Sequence, residues 1–158
     1  MSRILSINIE DGPPRQTLSA RLGTDGERLA AAFLEAARYR LVLSNFKVPV
    51  GRNSRGVSVT GEIDIVAVDE DTLCFVEVKT RTSSDFAEPL ASVTKRKQRQ
   101  IMRTARVYRR IFNLSPMPYR YDVVSVILKP GTEPGIDLVK GFWSESKFRK
   151  KAWSGDIY

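Results

Sequence analysis

Gly61-Glu62-Ile63-Asp64-Ile65-Val66-Ala67-Val68-Asp69-Glu70-Asp71-Thr72-Leu73-Cys74-Phe75-Val76-Glu77-Val78-Lys79 is the stretch that decides the fold. It contains two β-rich runs, Glu62 to Asp69 and Thr72 to Lys79, joined by Glu70-Asp71, and reads as an antiparallel hairpin. A turn centred on those two residues sets Asp69 against Thr72. Counting back along the strands places Asp64 opposite Glu77 and Glu62 opposite Lys79, and side chains two apart on one strand share a face. Four charged groups are therefore expected to converge at one end of one face. A turn with an odd number of loop residues, or a bulge, would send Asp64 to the other face.

Directly opposed carboxylates repel and destabilise a hairpin unless a cation lies between them or one acid keeps its proton. Asp64 and Glu77 also interrupt Ile63, Ile65, Val66, Val76 and Val78, where a purely structural strand favours apolar or β-branched residues. That conflict points to a metal. The chain has no histidine and one cysteine, Cys74. Serine–histidine triads, papain-like pairs, HExxH zinc helices and imidazole general bases are excluded, as is a cysteine–histidine structural zinc site. An ion held without imidazole or thiolate clusters is a hard, oxygen-seeking one, so magnesium or manganese is expected ahead of zinc or copper. Cys74, inside Leu73-Cys74-Phe75-Val76, reads as a buried, inert thiol.

Outward from the hairpin, an α/β order emerges. Residues 1–20, with Gly12-Pro13-Pro14, read as a flexible N-terminal arm. Residues 21–141 read as one α/β domain, and 142–158 as a basic, aromatic tail. Thr24 to about Arg40 is expected as a helix carrying Leu29, Phe33 and alanines at 30–32, 36 and 37 on its packing surface. Leu41 to Val48 is expected as a strand and Pro49 to Gly61 as a flexible basic loop. Thr80 to Pro89 reads as a connection. A long helix follows from Ser92 to about Phe112, with Ile101, Ala105, Tyr108 and Phe112 as its apolar stripe and Arg96, Arg99, Arg103, Arg106 and Arg110 on another face. Pro116 and Pro118 end it, and Arg120 to Leu128 and Gly135 to Lys140 read as strands.

Composition is consistent with that plan. At 158 residues and 42% hydrophobic content the chain fits a single core. No apolar run approaches the ~18 residues of a membrane span, and no signal-peptide pattern opens the chain, so a cytoplasmic location without membrane association is expected. The net charge of +8 suggests a polyanionic partner. No acid occurs between Glu88 and Asp122, whereas Lys95, Arg96, Lys97, Arg99, Arg103, Arg106, Arg109 and Arg110 crowd into that window.

Gly26-Glu27 opening a helix, Gly61-Glu62-Ile63-Asp64-Ile65-Val66, and Phe75-Val76-Glu77-Val78-Lys79-Thr80-Arg81 together resemble the YraN family of bacterial proteins. That family is similar to Holliday-junction-resolvase-like members of the PD-(D/E)xK nuclease superfamily. The likeness runs from Gly23 to Leu128. It departs from the superfamily's pattern in having Ile63, not proline, before Asp64. The resemblance implies a restriction-endonuclease-like core, a mixed central β-sheet flanked by helices. It implies that Asp64, Glu77 and the Val78 carbonyl hold Mg2+ or Mn2+, with Glu27 reaching the ion directly or through water. Lys79 would orient or deprotonate the attacking water, and Glu62 would tune Lys79 or hold a second ion. Arg81, Lys95, Arg96, Lys97, Arg99 and Arg103 would hold a nucleic-acid backbone. The implied activity is metal-dependent cleavage of DNA, branched or structured DNA included, by a homodimer.

Plainer roles stand beside these. Thr24-x-x-Glu27 fits a helix capping box. Glu62 and Lys79 could form only a cross-strand ion pair, and the arginine stripe could be a solvated face. Trp143 and Trp153 read better as anchors of the tail than as base-stacking residues. A non-catalytic nucleic-acid-binding module that retains the nuclease fold is the main alternative to an enzyme. In a third reading the tail and arm dock a protein or membrane partner.

Overall fold

A computed structural model of the chain describes residues 18–82 and 93–149. Most of the expected arm, the connection between 83 and 89, and the tail from residue 150 with Trp153 lie outside the described residues. The elements are α1 (Leu18–Ala36), β1 (Arg40–Arg52), β2 (Ser58–Asp69), β3 (Thr72–Thr82), α2 (Lys95–Ile111), β4 (Tyr119–Leu128) and β5 (Gly135–Trp143), followed by a 3-10 turn at Glu145–Phe148. They build one five-stranded sheet in the order β1-β2-β3-β4-β5.

The β2–β3 hairpin has the expected register, from Asp69↔Thr72 through Ala67↔Cys74 to Ile65↔Val76. Its two-residue turn closes with Glu70 in the left-handed region at φ 53°. β1–β2 and β4–β5 are also antiparallel, but β3 and β4 run parallel. A parallel pair needs a crossover, and α2 supplies it. The sheet is thus mixed, with helices on both faces, and the chain has the expected α/β architecture.

Strand alternation divides the core in two. On one face Phe75, Tyr121 and Val123 pack with Ile101, Met102, Ala105 and Tyr108 of α2, and Trp143 joins them. On the other, Ile65, Ala67, Cys74, Val76 and Val124 pack with Ala30 and Leu34 of α1. Cys74 is buried, and burial pushes its thiol up to about 12, so it is the inert core residue its sequence context implied. Trp143 stacks on Tyr121 at 4.9 Å and 7°, an anchor as expected. Phe112, assigned to the apolar stripe, is instead half exposed just beyond the end of α2.

Three differences from the sequence reading have local causes. The region expected as a flexible basic loop is mostly strand: β1 runs to Arg52 and β2 starts at Ser58, leaving a short turn. Asn53 Oδ1 accepts from the amides of Arg55 and Val57, and Gly56 takes φ 75°, so the turn residues are organised rather than loose. Pro49 is tolerated because β1 is an edge strand. Helix α1 begins at Leu18, before the expected start, and ends at Ala36, where Arg38 enters the left-handed region at φ 68°. β5 continues to Trp143 rather than stopping at Lys140.

Two glycines fix how closely the helices lie on the sheet. A Cβ at Gly26 would collide with the Thr80 side chain of β3, and one at Gly61 with Thr104 of α2 and Val50 of β1. Any side chain at either position would push a helix outward.

Candidate metal centre

The hairpin delivers Asp64 and Glu77 to the same place, and there the regular ladder stops. Its last pair is Ile65↔Val76. Beyond it the Val78 amide donates to Asp64 Oδ2 at 2.7 Å, a side-chain acceptor where a backbone carbonyl would otherwise sit. Asp64 is 9% exposed and Glu77 2%. Burial pushes the Asp64 carboxyl up to about 7, the Glu77 charge adds to that, and the Val78 hydrogen bond opposes it. The repulsion foreseen from the register thus contributes to a suppressed ionisation, second to burial.

Glu77 is the more telling residue. Its Oε1 meets Lys79 Nζ at 2.9 Å and Lys97 Nζ at 3.6 Å. Its Oε2 is buried and has no hydrogen-bond partner among the described residues. A buried, unpartnered carboxylate oxygen costs the full desolvation of that atom, and native proteins rarely leave one without a reason. A hard divalent cation would satisfy that oxygen and offset the Asp64–Glu77 repulsion together, so the donor set fits the magnesium or manganese expected from the sequence. Among the described residues no group of three or more carboxylate, imidazole or thiol ligands is assembled, and the acids these residues bring together are the Asp64–Glu77 pair.

Other expected site residues fall less tightly. Glu27 lies well inside α1, not at its N-terminus, because the helix already runs from Leu18. The same fact removes the capping-box reading of Thr24 and Glu27. Glu27 raises the Asp64 pKa only as a minor contributor, as a charge nearby and not a direct partner. Glu62 does not face Lys79. It pairs across the other strand boundary with Lys47 at 3.4 Å, in register Lys47↔Glu62, while Lys79 turns along its own strand to Glu77. The four-charge convergence thus becomes Asp64, Glu77, Lys79 and Lys97. Arg81 lies two residues beyond Lys79 on β3, partly buried.

Lys97 was expected as part of the basic face. In fact Thr94 caps α2, its hydroxyl accepting from the Lys97 amide, and Lys97 leans onto the sheet. Its spacing carried the signal: Lys97, Ile101, Ala105 and Tyr108 form one helical stripe. Lys95, Arg96, Arg99 and Arg103 are exposed as expected. Farther along, Arg106 pairs with Glu145 at 2.9 Å, and Arg99 lies over the Phe148 ring at 5.3 Å, so the segment after β5 covers part of the stripe.

A second charged cluster, which periodicity alone did not single out, sits toward the other end of the sheet on the α1 face. Asp122, fully buried, accepts from Arg120 Nε through both oxygens at 2.9 and 3.0 Å and from the Gly141 amide at 2.8 Å. Arg120 also donates to Asp69 at 2.6 Å and to the Tyr39 hydroxyl at 2.7 Å, and Lys140 reaches Asp69 at 2.9 Å. The hydrogen bonds from Arg120 and Lys140 hold Asp69 below the usual carboxylate range. Burial works against the Arg120 cation, but its bonds to Asp122 and Asp69 prevail and raise its pKa.

The sequence profile described as "Uncharacterised protein family UPF0102" matches residues 26–126. A UPF0102 protein of Prosthecochloris aestuarii is 40% identical over 131 residues, covering 78% of this chain and 94% of that relative. One of Geobacter sulfurreducens is 40% identical over 118 residues, covering 75% of this chain and 84% of the other. Among solved structures, "Crystal structure of SSO0001" is similar over 83% of this chain and 56% of that one, at 13% identity and a TM-score of 0.37, a likeness too slight to bear on fold or function. Among the described residues no helix is long and apolar enough to cross a membrane.

Proposed function

The chain belongs to the UPF0102 family, and from that premise we propose that it is a divalent-metal-dependent nuclease acting on DNA, branched or otherwise structured DNA included. The reading is carried by the buried Glu77 Oε2, unpartnered among the described residues, beside Asp64, whose ionisation is suppressed. A mixed sheet with helices on both faces is compatible with a restriction-endonuclease-like core.

Asp64 and Glu77 would hold Mg2+ or Mn2+, with the Val78 carbonyl and, through water, Glu27 completing an oxygen-rich shell. Held there, such an ion would lower the pKa of a bound water and act as a Lewis acid toward a phosphoryl group. The chain's own residues do the rest. Lys79, held by Glu77 at 2.9 Å, keeps an ammonium fixed beside the acids, where it orients the attacking water and counters the charge that develops on the phosphorane. Lys97 adds a second cation from α2 and, with Lys79, prevents the acid pair from repelling a polyanion. The Val78 amide holds Asp64 in place. Arg81, Lys95, Arg96, Arg99 and Arg103 would bind backbone phosphates, which positions a substrate without reading its sequence. Glu62, engaged with Lys47, is a weaker auxiliary candidate. Symmetric cutting of two strands asks for two copies, so a homodimer is part of the proposal.

A panel of linear, single-stranded, flapped and four-way DNA, incubated with Mg2+ or Mn2+, tests the reading. Cleavage by the wild type, lost in Asp64→Asn and Lys79→Ala while DNA binding persists, is the expected result. One observation favours a second reading, a non-catalytic DNA-binding module: Lys79 and Lys97 already neutralise Glu77 Oε1 without any ion. Binding to DNA with no cleavage on any arm would support that module instead.

A further inference from the structure

We propose that the groove between the tip of the β1–β2 ribbon and helix α2 is a binding site for the DNA backbone, separate from the acid pair. The proposal takes its ligand class from the nucleic-acid reading above but does not need the site to cut. The groove holds about 260 Å³ and is lined by Arg52 and Asn53 from the ribbon and by Arg96, Arg99, Gln100 and Arg103 from the helix.

A solvated arginine face spreads its charges into water along one element. Here four guanidinium groups border one concavity from two elements, and among the described residues no acid lines it. Like charges gathered in this way repel, and a run of phosphates relieves that repulsion while releasing its own counterions. The volume lies below the ~300–1,000 Å³ usual for small-molecule pockets, which suits a backbone passing across the groove better than an enclosed metabolite.

The walls are fixed before any ligand arrives. Gln100 Nε2 donates to the Thr60 carbonyl at 2.9 Å, and the Gly61–Thr104 approach brings α2 hard against β2. Arg52 Nη1 donates to the Gly56 carbonyl at 2.6 Å, so its guanidinium is oriented by its own turn. Preorganised donors lose less conformational freedom on binding than free side chains do.

The groove also stands at a defined distance from the acids. Val59 lines it, and Asp64 follows on the same strand, about 17 Å away at ~3.4 Å per residue. With one phosphate of each strand per ~3.4 Å of duplex axis, a duplex lying along β2 would set the groove and the acid pair roughly five base steps apart.

The test uses the full chain carrying Asp64→Asn, so that no cleavage intervenes, and a short fluorescent duplex DNA titrated at several salt concentrations. Adding Arg52→Gln and Arg99→Gln is expected to weaken binding about tenfold or more and to make the log–log salt slope shallower by about two. The exposed Lys129→Gln, outside the groove, is expected to change neither appreciably. Unchanged affinity and slope in the double variant, an equal loss in the lysine variant, or no DNA binding by the parent would each overturn the proposal. Loss of binding in the groove variants, in a protein whose wild type cuts nothing, would leave this site standing and the nuclease reading fallen.

Discussion

Two buried charged clusters share one sheet and solve the same electrostatic problem in opposite ways. Around Asp122 both carboxylate oxygens have partners, and Arg120 links Asp122, Asp69 and Tyr39 into a closed set. Around Glu77 one oxygen meets two lysines and the other has no partner among the described residues, while the neighbouring Asp64 is driven toward its neutral form. A satisfied network holds a fold together; an unsatisfied one stores free energy that an incoming cation can release. The contrast sets the cluster that reads as structural apart from the one proposed as a cation site.

The largest expected effect lies at the satisfied end. Asp122→Ala removes a fully buried acid and leaves Arg120 short of its main partner, which should cost about 3–5 kcal/mol in denaturant unfolding. Glu77→Gln, made without metal, should cost far less or stabilise the fold, because Lys79 and Lys97 are each about a quarter exposed and can turn to water. Equal losses in the two variants would erase the distinction between the clusters.

A smaller effect depends on pH. The Asp64 carboxyl is raised in the folded state from an ordinary 3.8 to about 7. The folded chain therefore holds the proton more tightly than the unfolded one, and this contribution to stability is fully present below about pH 3.8 and lost as pH rises through about 7. Melting temperatures of metal-free wild type should carry a downward component across that window that Asp64→Asn lacks. A variant and wild type with parallel profiles would contradict the assignment. Smaller still is the exposed Lys47–Glu62 pair, where Lys47→Ala should change unfolding free energy by less than about 1 kcal/mol. A larger loss would return Glu62 to the charged centre from which its Lys47 contact separates it.

Much of this was legible in the chain. The β-rich runs either side of Glu70-Asp71 gave the hairpin register, and with it the meeting of Asp64 and Glu77, because side-chain alternation leaves few other solutions once the turn is placed. The long basic helix was legible from its spacing. Three things were not. The strand that continues through Pro49 to Arg52 is hidden because the glycines, proline and asparagine in and after it carry a loop's composition, whereas Asn53 and Gly56 need only a short turn. The place of Glu62 was missed because a strand has two neighbours, and β1 supplied Lys47 before β3 could supply Lys79. The Arg120–Asp122 network joins residues from the α1–β1 connection, β2, β4 and β5, and such long-range closure leaves no local pattern to read.

The central claim is that Asp64 and Glu77 form a cation site, and direct titration of Mn2+ into the whole protein above Asp64's pKa of about 7, read by the resonance of free against bound ion, tests it most directly. The account predicts saturable binding in the wild type that is lost in Glu77→Gln and weakens as pH falls below that value. Absence of binding in the wild type, or binding unchanged in Glu77→Gln, would contradict it.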